Sequence, residues 1–332
     1  MALLKQQAFE TLDQYISGSR VTIIVAVSGG ADSLALTLLA KEYANEKGYY
    51  LQAVTVDHKL RPESTAEANT VHQILSTLGV SHHTLTWDHS ENINRRHERA
   101  REARYSLLTQ FCKNYLNPFL LTAHHQQDQV ETILMRFLKG SGPAGFRGIQ
   151  MIRYEDAVPI VRPLLETPPE VLRNYLKDQG VAWIEDPSNN DSHYERTRTR
   201  QLLGHIKDLG WSEEGILTTA AKMYGLHETL ENLTAGYAKD FVIANDPLTI
   251  NQTAFFAAPS QIQIEYLRQA IWQVGAGNYP KPYATIEAIL DMLKKPKVNG
   301  YQVAGCIIEV SKKAISIKQD MAVNIRAQLI QK

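Results

Sequence analysis

The sequence predicts an α/β chain, with a doubly wound parallel sheet in residues 1–210 and a smaller, mostly helical α+β domain in residues 211–332. Three observations carry that expectation. Short aliphatic runs alternate with segments of helical apolar spacing from residue 21 to 138, the order that parallel strands require because each crossover is a helix. The first such run enters its helix directly through a pair of glycines. Beyond Gly210 the composition shifts to long helical periodicity and ends in two β-like runs. At 332 residues the chain also exceeds a comfortable single core, so two domains are expected.

Leu3, Leu4, Phe9, Leu12 and Ile16 have helical spacing and give a lead-in helix. Residues 21–40 read VTIIVAVSGGADSLALTLLA: a buried strand, a turn of Ser28, Gly29, Gly30, Ala31, Asp32 and Ser33, then a helix from Leu34. Gly29 and Gly30 allow a tight bend and a close backbone approach, and the free N–H groups of a first helical turn attract anions. A phosphate site follows. The competing reading is a plain strand-to-helix turn with Asp32 or Ser33 as its N-cap. A Walker loop needs a Lys that is absent here, and the dinucleotide pattern GxGxxG is missing too.

Residues 50–56 form a second strand, apolar enough to be covered on both faces, and it ends in Asp57-His58-Lys59-Leu60-Arg61-Pro62. Ligands of parallel sheets lie beyond the carboxyl ends of the strands, so Asp57, His58 and Arg61 are binding candidates or a solvated loop. A helix over 65–78 and a strand over 81–87 follow, with Gly79 as C-cap. The long helical candidate 92–116 carries five arginines interleaved with Glu98 and Glu102, mostly a solvated face. Arg101 and Arg104 are singled out because they share a side beside Tyr105. After a fourth strand, 119–123, comes HHQQDQVET. On a helix starting there His124, Asp128 and Glu131 project together at i, i+4 and i+7 and could hold a divalent ion or substrate, or simply begin the helix. KGSGPAG behind it is a linker or a lid.

From residue 158 the pattern changes to a short strand containing Arg162, a helix over 169–179, and a turn-rich loop around Asp186-Pro187. Arg196, Arg198 and Arg200 alternate, so an extended backbone would put three guanidiniums on one side, suited to successive phosphates. A helix would scatter them. Helices are expected over 212–241, 260–274 and 283–294, with strands over 301–311 and 314–318.

Charge balances at 35 basic and 35 acidic residues, so a nucleic-acid partner must be held by local basic patches. Cys112 and Cys306 are far apart with no CxxC, which excludes a disulfide framework or thiolate cluster. No apolar run reaches the roughly 20 residues of a membrane span and no signal-peptide core opens the chain, so a cytoplasmic location is expected.

SGGADS resembles the pyrophosphate loop of the adenine nucleotide alpha hydrolase superfamily, whose members cut ATP between its alpha and beta phosphates. The ordered set SGGADS, VDHKLRPES, RxxRY, HHQQDQVET with KGSGPAG, RPLL and WIEDPSNxD with its arginines resembles the tRNA(Ile)-lysidine synthetase family over about residues 20–205. The resemblance implies ATP and Mg2+ as cofactors, L-lysine and the CAU-anticodon isoleucine tRNA as substrates, and lysine joined to C2 of the wobble cytidine through an adenylated intermediate. It further implies that Ser28 to Ser33, Asp57 and His58 hold the nucleotide, and that Asp32 and Asp128 bind the metal. Arg104 joins those two acids in catalysis, while Arg61, Arg101, His124, Glu131, Arg196, Arg198 and Arg200 face lysine or RNA. Gln127 stands where the family usually has a second aspartate, and Thr197 where it commonly has Asn. Another pyrophosphate-cleaving ligase, a tRNA thiolase, or a nucleotide-binding module without turnover are the alternatives. Monomer and homodimer are both open.

Overall fold

The computed structural model describes residues 2–60, 63–89, 96–185, 195–275, 280–295 and 300–321. Arg61 and the loop at 186–194 lie outside them. The chain divides into two compact units, one of residues 1–132 with 148–213 and the other of residues 133–147 with 214–332.

The first unit begins α1 (Ala2–Tyr15), β1 (Thr22–Ala26), α2 (Ala31–Lys47), β2 (Tyr50–Asp57), α3 (Ser64–Thr77), β3 (His82–Thr86), α4 (Arg96–Cys112), β4 (Pro118–Leu121) and α5 (Gln126–Leu138). It continues with β5 (Ile152–Glu155), β6 (Val158–Val161), α6 (Pro169–Asp178) and α7 (Glu195–Asp208). The strands lie in the order β3-β2-β1-β4-β6-β5. β1 is central because both of its faces are buried: Ile23 and Val25 pack against α1, α2, α3 and α6, whereas Ile24 joins Leu108 and Tyr105 of α4 on the other face. That two-sided cover explains the unbroken apolar run TIIVA.

β1 pairs in parallel with β2 on one side and β4 on the other, so the chain reverses its direction of winding between β1 and β4. The crevice beyond the carboxyl ends of those two strands is the switch point at which open α/β sheets take ligands. The sheet is mixed rather than wholly parallel. β5, which sequence reading missed, returns antiparallel to β6 as the edge. Its turn places Asp156 and Ala157 at positive φ, the two-residue reversal typical of a tight hairpin.

The second unit contains the end of α5, a 3-10 turn Pro143–Arg147, and α8 (Glu213–Phe241). It continues with β7 (Val242–Asn245), β8 (Leu248–Asn251), α9 (Gln252–Ala257), α10 (Ser260–Gly275) and α11 (Tyr283–Leu293). β9 (Tyr301–Val303), β10 (Cys306–Val310) and β11 (Ala314–Gln319) close it. Its sheet, β7-β8-β11-β10-β9, is antiparallel throughout. The expected strand over 301–311 is two strands, because Ala304 and Gly305 both take positive φ and reverse the chain. The four-residue strands β7 and β8 escaped notice because each is too short for alternation to show. The glycine-rich segment after α5 is grouped with this unit, where a Cβ on Gly142 would meet the Tyr283 ring at 2.5 Å.

Among the described residues no helix is long and apolar enough to cross a membrane.

Candidate functional site

The glycine turn sits at the carboxyl end of β1. Gly29 has φ +87°, and a Cβ there would lie 2.6 Å from Val71 Cγ2 and 3.0 Å from Ile184 Cδ1. Its carbonyl accepts from the Ile184 N–H at 2.9 Å. Glycine is therefore required by the protein's own packing. Gly30 differs: φ is −72° and a Cβ would meet only Ser28 Oγ, at an ordinary 3.6 Å. Gly30 is also the N-cap of α2, and no side chain caps that helix. Ser33 Oγ donates back to the Gly30 carbonyl at 2.9 Å and accepts from the Ser28 N–H at 3.2 Å, which shapes the turn instead of capping it. The capped-turn reading fails on this point, and the first turn of α2 presents its N–H groups as an anion cradle.

Across the switch point, His125 joins two acids. Its Nε2 lies 3.5 Å from Asp32 Oδ2 and 3.6 Å from Asp128 Oδ2, and its backbone N–H donates to Asp128 Oδ2 at 3.2 Å. Burial works against the imidazolium, but the bond to Asp32 and the charges of Asp128, Asp32 and Glu131 outweigh it, so the pKa of His125 is raised. Asp32 Oδ1 is buried and unpaired. The sequence reading put His124 in this cluster. The helix instead starts at Gln126, so His124 precedes it and turns to Thr122 Oγ1 at 3.0 Å. Burial, then Arg162, Arg104 and Arg101, hold the pKa of His124 far below its ordinary value despite the pull of Asp128.

Residues 195–208 form a helix, which corrects the extended reading of the arginines. Arg196 and Arg200, one turn apart, share a face, and Arg198 lies on another. That face meets α5: Arg196 Nη1 donates to Asp128 Oδ1 at 3.1 Å and Arg200 Nε to Glu131 Oε1 at 2.5 Å. Acids three apart on one helix meet arginines four apart on the other. This match of spacings was present in the sequence, but the alternation of three arginines concealed it.

A third group surrounds Tyr105. The guanidiniums of Arg101, Arg104 and Arg153 lie 5.3, 5.2 and 4.2 Å from its ring centre. Arg162, 2% exposed, donates to the Gln150 carbonyl at 2.5 Å and leaves Nε buried and unpaired. Burial alone would raise the pKa of Tyr105, but Arg104, Arg101, Arg162 and Arg153 together lower it. So dense a group of cations around one ring favours an anion. Sequence reasoning missed Arg153 altogether because β5 was not expected.

At the end of β2 the structure separates Asp57 from His58. Asp57 accepts from the Lys59 N–H at 2.9 Å, Ser64 Oγ at 2.8 Å and Thr65 Oγ1 at 2.7 Å, so both of its oxygens organise the loop into α3. Those bonds outweigh burial and lower its pKa. Asp57 therefore shapes the loop beside the proposed nucleotide site. His58 is pushed down to about 4, by burial first and Arg104 second, and its Nδ1 is buried and unpaired.

A glycine turn without a side-chain cap, facing a carboxylate–imidazole–carboxylate chain across the switch point of a mostly parallel sheet, makes this an α/β domain of the kind that receives an anionic ligand there. Residues 4–206 match the family model of the PP-loop domain. The chain is 34% identical over 285 residues to a tRNA(Ile)-lysidine synthase of Ruegeria pomeroyi, covering 86% of this chain and 68% of that one. It is also 34% identical over 291 residues to that of Rhodopseudomonas palustris, covering 86% and 84%, and 32% identical over 296 residues to that of Bradyrhizobium diazoefficiens, covering 86% and 82%. The chain belongs to the tRNA(Ile)-lysidine synthase family. Among solved structures, a U34-tRNA thiolase from Methanococcus maripaludis superposes with TM-score 0.56 at 15% identity over 68% of this chain and 79% of that one, a likeness of fold.

Proposed function

We propose that the protein joins L-lysine to C2 of the wobble cytidine of a CAU-anticodon isoleucine tRNA, using ATP and releasing AMP and pyrophosphate, so that the tRNA reads AUA instead of AUG. The observation that carries this reading is the meeting of the uncapped turn at Ser28 to Ser33 with the Asp32–His125–Asp128 chain across β1 and β4.

The C2 oxygen of cytidine is a very poor leaving group and has to be activated. In the proposed sequence that oxygen attacks the alpha phosphate of ATP, and pyrophosphate leaves toward the amides of Ala31, Asp32 and Ser33. Charge grows on phosphate in this step, and fixed donors and guanidiniums stabilise it; loss of one such donor typically costs about 10²–10³ in rate. Arg104, with Arg101 beside it on the Tyr105 ring, is assigned to that charge. The lysine amine then attacks C2, and the bond from C2 to the adenylate oxygen breaks, releasing AMP. The amine must arrive neutral and lose a proton afterwards. His124, whose pKa burial and nearby arginines lower, is assigned to the lysine side as a hydrogen-bond acceptor for the neutral amine, with the released proton passing to solvent, while His125, whose pKa its acids raise, holds Asp32 and Asp128 in place.

Mg2+ fits at Asp32, because that ion takes one or two carboxylates together with substrate phosphates and Asp32 Oδ1 is buried and unpaired. When bound it would neutralise phosphate charge. Asp128 accepts from Arg196 at one oxygen and from the His125 N–H at the other, and each oxygen keeps a second lone pair with which it could share the ion. His58 and the phosphate turn are assigned to the nucleotide, Glu131 with Arg200 to the lysine side, and Arg198 with the C-terminal unit to tRNA. Both cysteines are buried, as suits a ligase rather than a thiolase that works through paired cysteines.

The test is transfer of labelled lysine to the CAU isoleucine tRNA with ATP and Mg2+, with the CAU methionine tRNA as control. Label in the first and not the second is expected; no label in either, under conditions where ATP binds, would reject the proposal.

A further inference from the structure

The second unit holds a cluster of ligating groups that the reaction above does not use. α8 is 29 residues long, yet only Ala220, His227, Thr234 and Phe241 are buried on it, one every seven residues. Leu230 and Ala238 pack half-buried beside this seam, and His227 occupies its middle at 4% exposure. Its Nδ1 is buried and unpaired. Glu231, one turn on, approaches His227 Nε2 at 3.5 Å, and Glu265 of α10 is fully buried. One ligating atom from each of His227, Glu231 and Glu265 lies within 4.8 Å of the others.

Glu265 is also held from outside. Tyr283 donates to its Oε2 at 2.9 Å, and Gln269 and Arg268 donate to Oε1 at 3.1 and 3.4 Å. Donors behind a carboxylate fix its orientation in metal sites. Arg268 balances one of the two acids, Glu265, and leaves the carboxylate of Glu231 beside the His227 ring. Plain hydrogen bonding accounts for Glu265 but not for His227, whose Nε2 stands 3.5 Å from Glu231 Oε1 in a buried seam where Leu would pack.

We propose that His227, Glu231 and Glu265 bind a divalent transition metal ion of the Zn2+ class, which staples α8 to α10. One imidazole and two carboxylates suit Zn2+ better than Mg2+ or Ca2+, which favour oxygen alone. Ligands of a tetrahedral zinc lie about 3.4 Å apart, so the cluster has to close by roughly an ångström. Glu231, with its side chain 44% exposed, can make that movement and leaves an entry path for the ion.

The full-length protein, stripped with chelator, is titrated with Co2+ and followed by visible absorption, and Zn2+ is then used to displace it. The Asp32→Asn variant removes the carboxylate of the other candidate ion site. Tetrahedral Co2+ absorption at about one equivalent per chain is expected in the wild type and in Asp32→Asn, with loss in His227→Gln. Zn2+ should raise the melting temperature of the wild type and not of His227→Gln. Glu231→Gln alters a half-exposed side chain and should fold normally; it should weaken Co2+ by about tenfold or more. Absence of absorption in the wild type, persistence in His227→Gln, or loss in Asp32→Asn would each overturn the assignment. These readouts involve no tRNA, so they stand or fall separately from the proposed reaction.

Discussion

Arg200 Nε lies 2.5 Å from Glu131 Oε1, and Glu131 is fully buried while the Arg200 side chain is one-third exposed. Burial raises the pKa of Glu131 and would lower that of Arg200, and each partner opposes the shift in the other. Oε2 of Glu131 remains buried and unpaired. α5 and α7 are thus pinned to each other by a charge that cannot reach water on the acidic side.

Arg200→Met should destabilise the first unit by about 2–4 kcal/mol, because it leaves a buried carboxylate unpaired, with the partial exposure of Arg200 reducing the usual cost. Glu131→Gln with Arg200→Met should recover much of that loss. Urea melts of the two single variants and the double variant check it, and simple additivity would contradict the coupling.

His125 gives a pH dependence with a definite sign. Its folded pKa is raised above 6.5, so its contribution to stability is complete below about 6.5 and is lost as pH rises through the folded value. The stability advantage of wild type over His125→Gln should therefore shrink as pH is raised from 6 to 9. An advantage that grows over that range would show the imidazole to be neutral.

The two glycines of the turn proposed to hold phosphate should respond differently. Gly29→Ala combines positive φ with a 2.6 Å clash and should cost about 1–3 kcal/mol or more of stability. Gly30→Ala should melt within about 1 kcal/mol of wild type yet bind ATP more weakly, since its methyl enters the cradle. Calorimetry of melting and of ATP titration separates the two effects.

Asp32→Asn should lower lysine transfer by about 10²-fold or more, with tRNA affinity little changed. Filter binding measured beside turnover checks this, and normal turnover would remove Asp32 from the mechanism.

Arg198 and Arg200 should differ in the salt dependence of tRNA binding. Arg198→Ala should flatten the plot of log affinity against log salt by roughly one phosphate's share, whereas Arg200→Met should leave the slope alone because that guanidinium is committed to Glu131. Equal slopes for Arg198→Ala and wild type would take Arg198 out of the RNA contact.

The glycine turn was legible because a buried strand, a glycine bend and a helix are all local events. α2 begins at Ala31 and ends against Gly48 in the left-handed region, as residue spacing and glycine placement imply. The arginine segment was misread for a reason equally physical. Strand and helix periodicities both fit RTRTR over so short a stretch, and only the facing acids of α5 decide for the helix. The choice between His124 and His125 hinged on where α5 starts, a boundary that shifts by a residue or two without changing the sequence pattern.

By itself the sequence determined the alternation of strands and helices, the glycine turn between the first two, and the ordered motifs that tie the chain to its family, because each depends on neighbours within a few residues. Tertiary structure alone decided that β1 lies between β2 and β4, that His125 faces Asp32, that Arg196 and Arg200 meet Asp128 and Glu131, and that four arginines converge on Tyr105. Those relations join residues dozens of positions apart. They exist only once burial of the sheet on both faces has brought the ends of separate strands to one edge.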